Sequence, residues 1–151
     1  MKHFFTVEKF KELKKKLKFL IDKKTPELRA TLDNMRSTTF AEDDTQLSDV
    51  MTEKTSVDRE IKNLEHLLKH SKVIGKAKHK MVELGSSVKL KIDSKIDTYL
   101  VVDPIEADPL KKKISLDSEM GKLISGKKSK DIVEYTDGEG IHHKVTILAV
   151  K

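Results

Sequence analysis

Thr38-Thr39-Phe40-Ala41-Glu42-Asp43-Asp44-Thr45-Gln46-Leu47-Ser48-Asp49 separates two long helical patterns, and it is acidic in a basic chain. No Lys or Arg occurs from Ser37 to Glu53, whereas Glu42, Asp43, Asp44, Asp49 and Glu53 all fall there. Neighbouring carboxylates repel one another, so Glu42, Asp43 and Asp44 require water or a cation around them. Such a run between two helices reads as the tip of a hairpin, either a plain solvated turn or a chemical tool.

Upstream of the tip, residues 6–38 read as helix in two stretches. Phe10, Leu13, Leu17 and Leu20 recur at alternating spacings of three and four, the seam of a coiled coil. Ile21, Leu28, Leu32 and Met35 continue the seam, displaced by one position. Between the stretches Thr25 suits a cap and Pro26 the first turn of a new helix, so a bend with restart and a kinked continuous helix are both open. Downstream, Leu47, Val50, Val57, Ile61, Leu64 and Leu68 mark a second helix from about 45 to 72, with Lys54 at one seam position. Each apolar stripe needs a partner, and the short link makes the other helix that partner. The expectation is an intramolecular antiparallel coiled-coil hairpin over residues 1–75, its tip at 38–49. About 30 residues per arm at about 1.5 Å each make it roughly 45 Å long.

The 151 residues are 36% hydrophobic and 37% charged, too polar for one large compact globule and suited to a slender element plus a small domain. The formal net charge of +6 is unevenly spread. Lys and Arg outnumber Asp and Glu 11 to 5 in residues 1–36, fall behind 2 to 7 in 37–60, lead 6 to 1 in 61–80 and balance at 12 each beyond. A basic stem suits an anionic partner, and equally a solvated surface. The chain has no cysteine, so disulfides and thiolate metal sites are excluded. No apolar run approaches the ~18 residues of a membrane span. The start, Met1 to Val7, has no apolar core like that of a secretory signal, and a cytoplasmic location without membrane contact is expected.

Past Gly75 the period changes from helical to two. Val88, Leu90 and Ile92 alternate with Lys89 and Lys91; Tyr99 to Val102, Ile114 to Leu116, Ile132 to Tyr135 and His143 to Val150 are further strands. Asp117 or Ser118 caps a brief helix carrying Met120, Leu123 and Ile124. Residues 80–151 are thus expected to form a small antiparallel sheet with one covering helix, an α+β domain. His66 and His70 stand at i, i+4 spacing, which can chelate zinc, but no Glu completes a hydrolytic motif. His142 and His143 point to opposite faces of a strand. No Gly-rich phosphate loop or Ser-His-Asp arrangement is present, so the chain is not expected to be an enzyme by itself.

An acidic-tipped hairpin followed by this module resembles the bacterial Gre transcript cleavage factors. Val101-Val102-Asp103-Pro104-Ile105-Glu106-Ala107-Asp108 is similar to the family's I-V-G-x-x-E-A-D, with Asp103 replacing glycine. Ile114-Ser115-Leu116-Asp117-Ser118-Glu119 is similar to I-S-x-x-S-P, with Glu119 replacing proline. Leu123 to Lys127 resembles A-L-I-G-K, Lys23-Lys24-Thr25-Pro26-Glu27-Leu28 resembles R-R-x-P-E-I, and Lys72-Val73-Ile74 resembles the closing A-x-V-I. The resemblance spans nearly the whole chain. It implies an FKBP-like fold for the second domain and a monomer that binds RNA polymerase, its hairpin entering the secondary channel. Tip carboxylates in that family help the polymerase hold a catalytic Mg²⁺ and cleave backtracked RNA. Carried over by position, Glu42, Asp43 and Asp44 become the acting carboxylates, Asp43 and Asp44 the ligands of a shared Mg²⁺, and Ser115, Asp117 and Ser118 the docking residues. The nascent RNA 3′ end is a further partner.

The tip departs from the family's G-D-L-[SK]-E-N-A-E-Y. Ungapped from Pro26, the glycine falls on Thr39, the first aspartate on Phe40, the glutamate on Asp43, the asparagine on Asp44, the second glutamate on Gln46 and the tyrosine on Leu47. A relative that occupies the channel and inhibits without cleavage is therefore an alternative expectation. An FKBP-type prolyl isomerase is another, set against a second domain whose only aromatic rings of the Phe, Tyr or Trp type are Tyr99 and Tyr135.

Overall fold

The computed structural model describes residues 2–38, 44–75 and 78–151, with the backbone alone at Thr38 and Asp44. The elements in chain order are β1 (His3–Phe5), α1 (Val7–Phe19), a π-helical turn (Leu20–Lys24), α2 (Thr25–Thr38), α3 (Asp44–Lys69) and β2 (Ser71–Val73). They continue as β3 (Ser87–Ile92), β4 (Lys95–Val102), a 3₁₀ turn (Pro109–Lys111), β5 (Lys113–Ser115), α4 (Glu119–Ile124), β6 (Ile132–Thr136) and β7 (His142–Val150). Two compact units divide the chain: Met1–His3 with Glu8–Lys72, and Phe4–Val7 with Val73–Lys151.

The first unit is a helical hairpin. Leu13, Leu20, Leu28 and Leu32 are buried on one arm, Val57 and Leu64 on the other, and α2 packs along α3. Lys16 Nζ meets Glu60 Oε1 at 2.6 Å, and further along Lys24 Nζ meets Glu53 Oε1 at 2.9 Å, so the arms run antiparallel. These solvated pairs mark register and stabilise little. Lys54, at the polar seam position, is half-buried and bonds Asp58 at 2.9 Å.

The chain stays helical through the Thr25-Pro26 junction. The Thr25 N–H donates to the Leu20 carbonyl five residues earlier, and Thr25 Oγ1 donates to the same oxygen at 2.8 Å. Pro26 has no N–H to offer the Asp22 carbonyl, and a π turn accommodates the missing bond by inserting one extra residue. That residue explains the displaced seam. The inward stripe passes from Leu20 through half-buried Lys24 to Leu28, whereas Ile21, which the spacing had placed on it, is 42% exposed.

The second unit is built on a five-stranded sheet of order β5-β4-β3-β7-β6. β3 pairs antiparallel with β4 and β7, and β7 with β6. β5 runs parallel to β4, with Val101 opposite Ile114, which corrects the expected all-antiparallel sheet. The reason is the long connection between them, which includes the 3₁₀ turn and returns the chain before pairing begins. Val82, Val88, Leu90, Val101, Ile124, Val145 and Ile147 form the core. The six-residue α4 contributes Ile124 and approaches so closely that a Cβ on Gly121 would overlap the Ser115 carbonyl.

The amino-terminal segment Phe4–Val7 belongs to this second unit, which the sequence did not reveal. Phe5 is fully buried, its carbonyl accepts from Ile74 N–H at 2.8 Å, and two carboxylates hold its neighbours. Asp103 Oδ2 accepts from Phe4 N–H at 3.2 Å, and Glu106 Oε2 from Thr6 N–H at 3.1 Å. Thr6 Oγ1 donates to Glu106 Oε1, and Lys113 Nζ lies 3.4 Å from the same atom.

Candidate functional site

α2 ends at Thr38 and α3 begins at Asp44, so the acidic run falls at the joint between the two arms. Glu42 and Asp43 lie outside the described residues, as does Phe40; Asp44 is the first residue of α3. A helix N-terminus carries partial positive charge and favours a carboxylate there. Behind the tip a groove of about 310 Å³ separates α2 from α3, with Arg29 and Arg36 on one wall and Lys54 on the other. Lys54 is paired with Asp58, while the exposed guanidiniums of Arg29 and Arg36 have no hydrogen-bond or ion-pair partner among the described residues. Asp33 and Asp58 line the same groove.

The second candidate set lies at the β5–α4 junction. Ser115 is buried, and its Oγ accepts from Asp117 N–H at 3.0 Å. Ser118 caps α4: its Oγ accepts from Gly121 N–H at 3.0 Å and donates to the Ser115 carbonyl at 2.6 Å. Both serines are therefore committed to shaping the turn, and Asp117 is the member exposed to solvent. Glu119 occupies the first position of α4, where proline is favoured by its fixed φ and a carboxylate by the helix dipole, so either residue suits the turn. Asp103 does not sit at positive φ, so glycine's freedom is not required there. Its carboxylate instead accepts from Ile105 N–H at 3.0 Å as well as from Phe4.

A further polar cluster went unrecognised in the sequence. His143 Nδ1 lies 2.7 Å from Asp93 Oδ2 in the β3–β4 turn, and its Nε2 lies 2.7 Å from Asp137 Oδ2 in the β6–β7 turn. Two carboxylate acceptors require both ring nitrogens to donate, which only the imidazolium does. Asp93 first, then Asp137, holds the His143 pKa above its usual range. The His143 contact likewise lowers both aspartates. Tyr135 stacks on the ring at 5.0 Å. His142 faces outward, 3.1 Å from Glu134. The aspartates are 50 and 6 residues from His143, so only the folded sheet brings the three together.

The chain thus comprises a helical hairpin with an acidic joint and a small mixed-sheet unit. Residues 3–73 match the family described as "Transcription elongation factor, N-terminal", and residues 77–151 match "Transcription elongation factor, GreA/GreB, C-term". Transcription elongation factor GreA of Clostridium botulinum (strain Kyoto / Type A2) is 31% identical over 99% of this chain and 95% of its own length. GreA of Clostridium kluyveri is 30% identical over 99% and 96%. Among solved structures, GreA factor homolog 1 of Thermus thermophilus is 23% identical with a TM-score of 0.48, covering 100% of this chain and 99% of its own. The chain belongs to the GreA/GreB family of transcription elongation factors. Its members are accessory factors, not catalytic enzymes.

Proposed function

We propose that this elongation factor binds RNA polymerase as a cytoplasmic monomer and acts on backtracked or paused complexes through its hairpin tip. The hairpin enters the secondary channel, and Glu42, Asp43 and Asp44 arrive at the polymerase active centre. The observation that carries this reading is the acidic run at the joint of two antiparallel helices whose flanking groove is lined by Arg29 and Arg36. Carboxylate oxygens match the hard, oxygen-seeking Mg²⁺, and Asp43 and Asp44 are the residues that would share it with the polymerase. Such an ion, when bound, polarises a phosphoryl oxygen and acidifies water. The chain's own residues bring negative charge to the ion, while the Arg29 and Arg36 guanidiniums attract RNA phosphates. The globular unit docks outside the channel, with Asp117 as its solvent-facing contact and Ser115 and Ser118 holding the loop in shape.

Phe40, standing where the family's first tip aspartate falls, supports a second reading in which the tip occupies the channel and slows synthesis without cleavage. Backtracked complexes mixed with the purified factor separate the two, since cleavage shortens the RNA and occupancy slows nucleotide addition. Phe40→Asp is expected to raise cleavage; an unchanged rate removes the missing carboxylate as the limiting feature. Asp117→Arg is expected to weaken polymerase binding, and undiminished binding removes that residue from the docking surface.

A further inference from the structure

We propose that His66 and His70 form a two-imidazole binding site for a divalent transition ion of the zinc, nickel and copper class. His66 lies in the last turn of α3 and His70 is the residue just after it, the turn between them closed by the His70 N–H bonding the His66 carbonyl at 3.1 Å. Their rings already face one another, with centres 4.4 Å apart and planes tilted by 49°. With Zn–N near 2.0–2.1 Å, two imidazoles at adjacent positions on one ion hold their ring centres about 4.5–5.2 Å apart. A small rotamer adjustment therefore suffices to point one nitrogen of each ring at a common ion.

The surroundings separate this pair from the other engaged histidines. His79 is taken by Glu83 at 2.5 Å, His142 by Glu134, and His143 by two aspartates. His66 and His70 are exposed and have no carboxylate partner among the described residues, so a metal displaces no existing ion pair. No group of three or more His, Cys, Asp or Glu able to hold a metal occurs among the described residues. The site thus supplies two nitrogens, and His3, whose N–H donates to the His70 carbonyl at 3.3 Å, is the nearest further histidine in the fold. Imidazole favours zinc, nickel and copper, while Mg²⁺ and Ca²⁺ seek oxygen. This selectivity is opposite to that of the acidic tip. A bound ion would clamp the last turn of α3 to His70, where the chain leaves the helix before β2. The proposal does not depend on the polymerase reading.

The test titrates the full-length chain near neutral pH with zinc chloride, nickel chloride and magnesium chloride, following the imidazole proton resonances by NMR. Zinc and nickel are expected to move or broaden the His66 and His70 signals in a saturable, equimolar manner, leaving His142 and His143 unchanged; magnesium should move neither. His66→Ala or His70→Ala is expected to weaken zinc binding at least about tenfold, because the chelate is lost. Both side chains are exposed, and alanine is the best helix former at His66 in α3, so these variants keep the fold. His142→Ala should bind zinc as the unmodified chain does. Absence of saturable zinc binding up to about 1 mM, zinc uptake at other histidines, or equal affinity in the His66→Ala chain would each overturn the proposal.

Discussion

Replacing Glu106 by alanine should loosen the amino-terminal segment from the sheet unit at a large and calculable cost. Glu106 is 4% exposed, and its two oxygens accept from the Thr6 N–H and the Thr6 hydroxyl, with Lys113 Nζ at longer range. A hydrogen bond to a charged group contributes about 1.5–3 kcal/mol. Thr6 is only half-buried, so water partly replaces what is lost, and the lower end applies to both bonds. The expected loss is therefore about 3 kcal/mol, equivalent to a fall in Tm of about 12 °C or more for a unit of this size. Urea unfolding of the full-length chain with a thermal scan measures it, and limited proteolysis should show earlier cutting near Thr6. Thr6→Val, which removes the hydroxyl and keeps the N–H, should cost about 1.5 kcal/mol. If Glu106→Ala unfolds within about 2 °C of the unmodified chain, roughly a sixth of the expected shift, the carboxylate does not anchor that segment.

The His143 staple predicts a pH dependence with a defined sign. A histidine whose folded pKa is raised contributes stability fully present below its unfolded value of 6.5 and lost as pH climbs through the folded value. Asp93 and Asp137, both depressed, contribute stability present above their usual 3.8 and lost as pH falls through their folded values. Tm of the sheet unit should thus decline on both sides of mildly acidic pH, and His143→Gln should flatten the alkaline side; an unchanged alkaline slope refutes the staple. Gly121→Ala drives a methyl group into the Ser115 carbonyl and should cost at least about 2 kcal/mol, readable as a lower urea midpoint. A Gly121→Ala chain as stable as the unmodified one would mean that α4 does not need that close approach.

The helical arms were legible because apolar residues keep to one face over many turns, a local signal that survives without knowledge of the partner. Even the π turn left a trace, the one-residue slip between Leu20 and Leu28, although Ile21 rather than Lys24 was placed on the stripe. Strand alternation located β3, β6 and β7 for the same reason. The direction of β5 was not legible, since it is decided by how residues 103–112 return the chain, and alternation is blind to strand direction. The segment at Phe4 and the carboxylates of Asp103 and Glu106 meet across about a hundred residues of sequence. Two adjacent phenylalanines at the start were the available hint. Of Asp117 and Ser118, the two caps the sequence offers for α4, the structure selects Ser118; the bonds of both serines within the β5–α4 turn required the positions of β5 and α4 together.

The central claim is that negative charge at the tip acts inside the polymerase. The direct measurement is RNA length in backtracked complexes over time, with the factor unmodified or carrying Glu42→Ala, Asp43→Ala and Asp44→Ala together. The account predicts an effect on cleavage or elongation with the unmodified factor and its loss in the triple variant, with polymerase binding retained through the globular unit. An effect of undiminished size in the triple variant would contradict it.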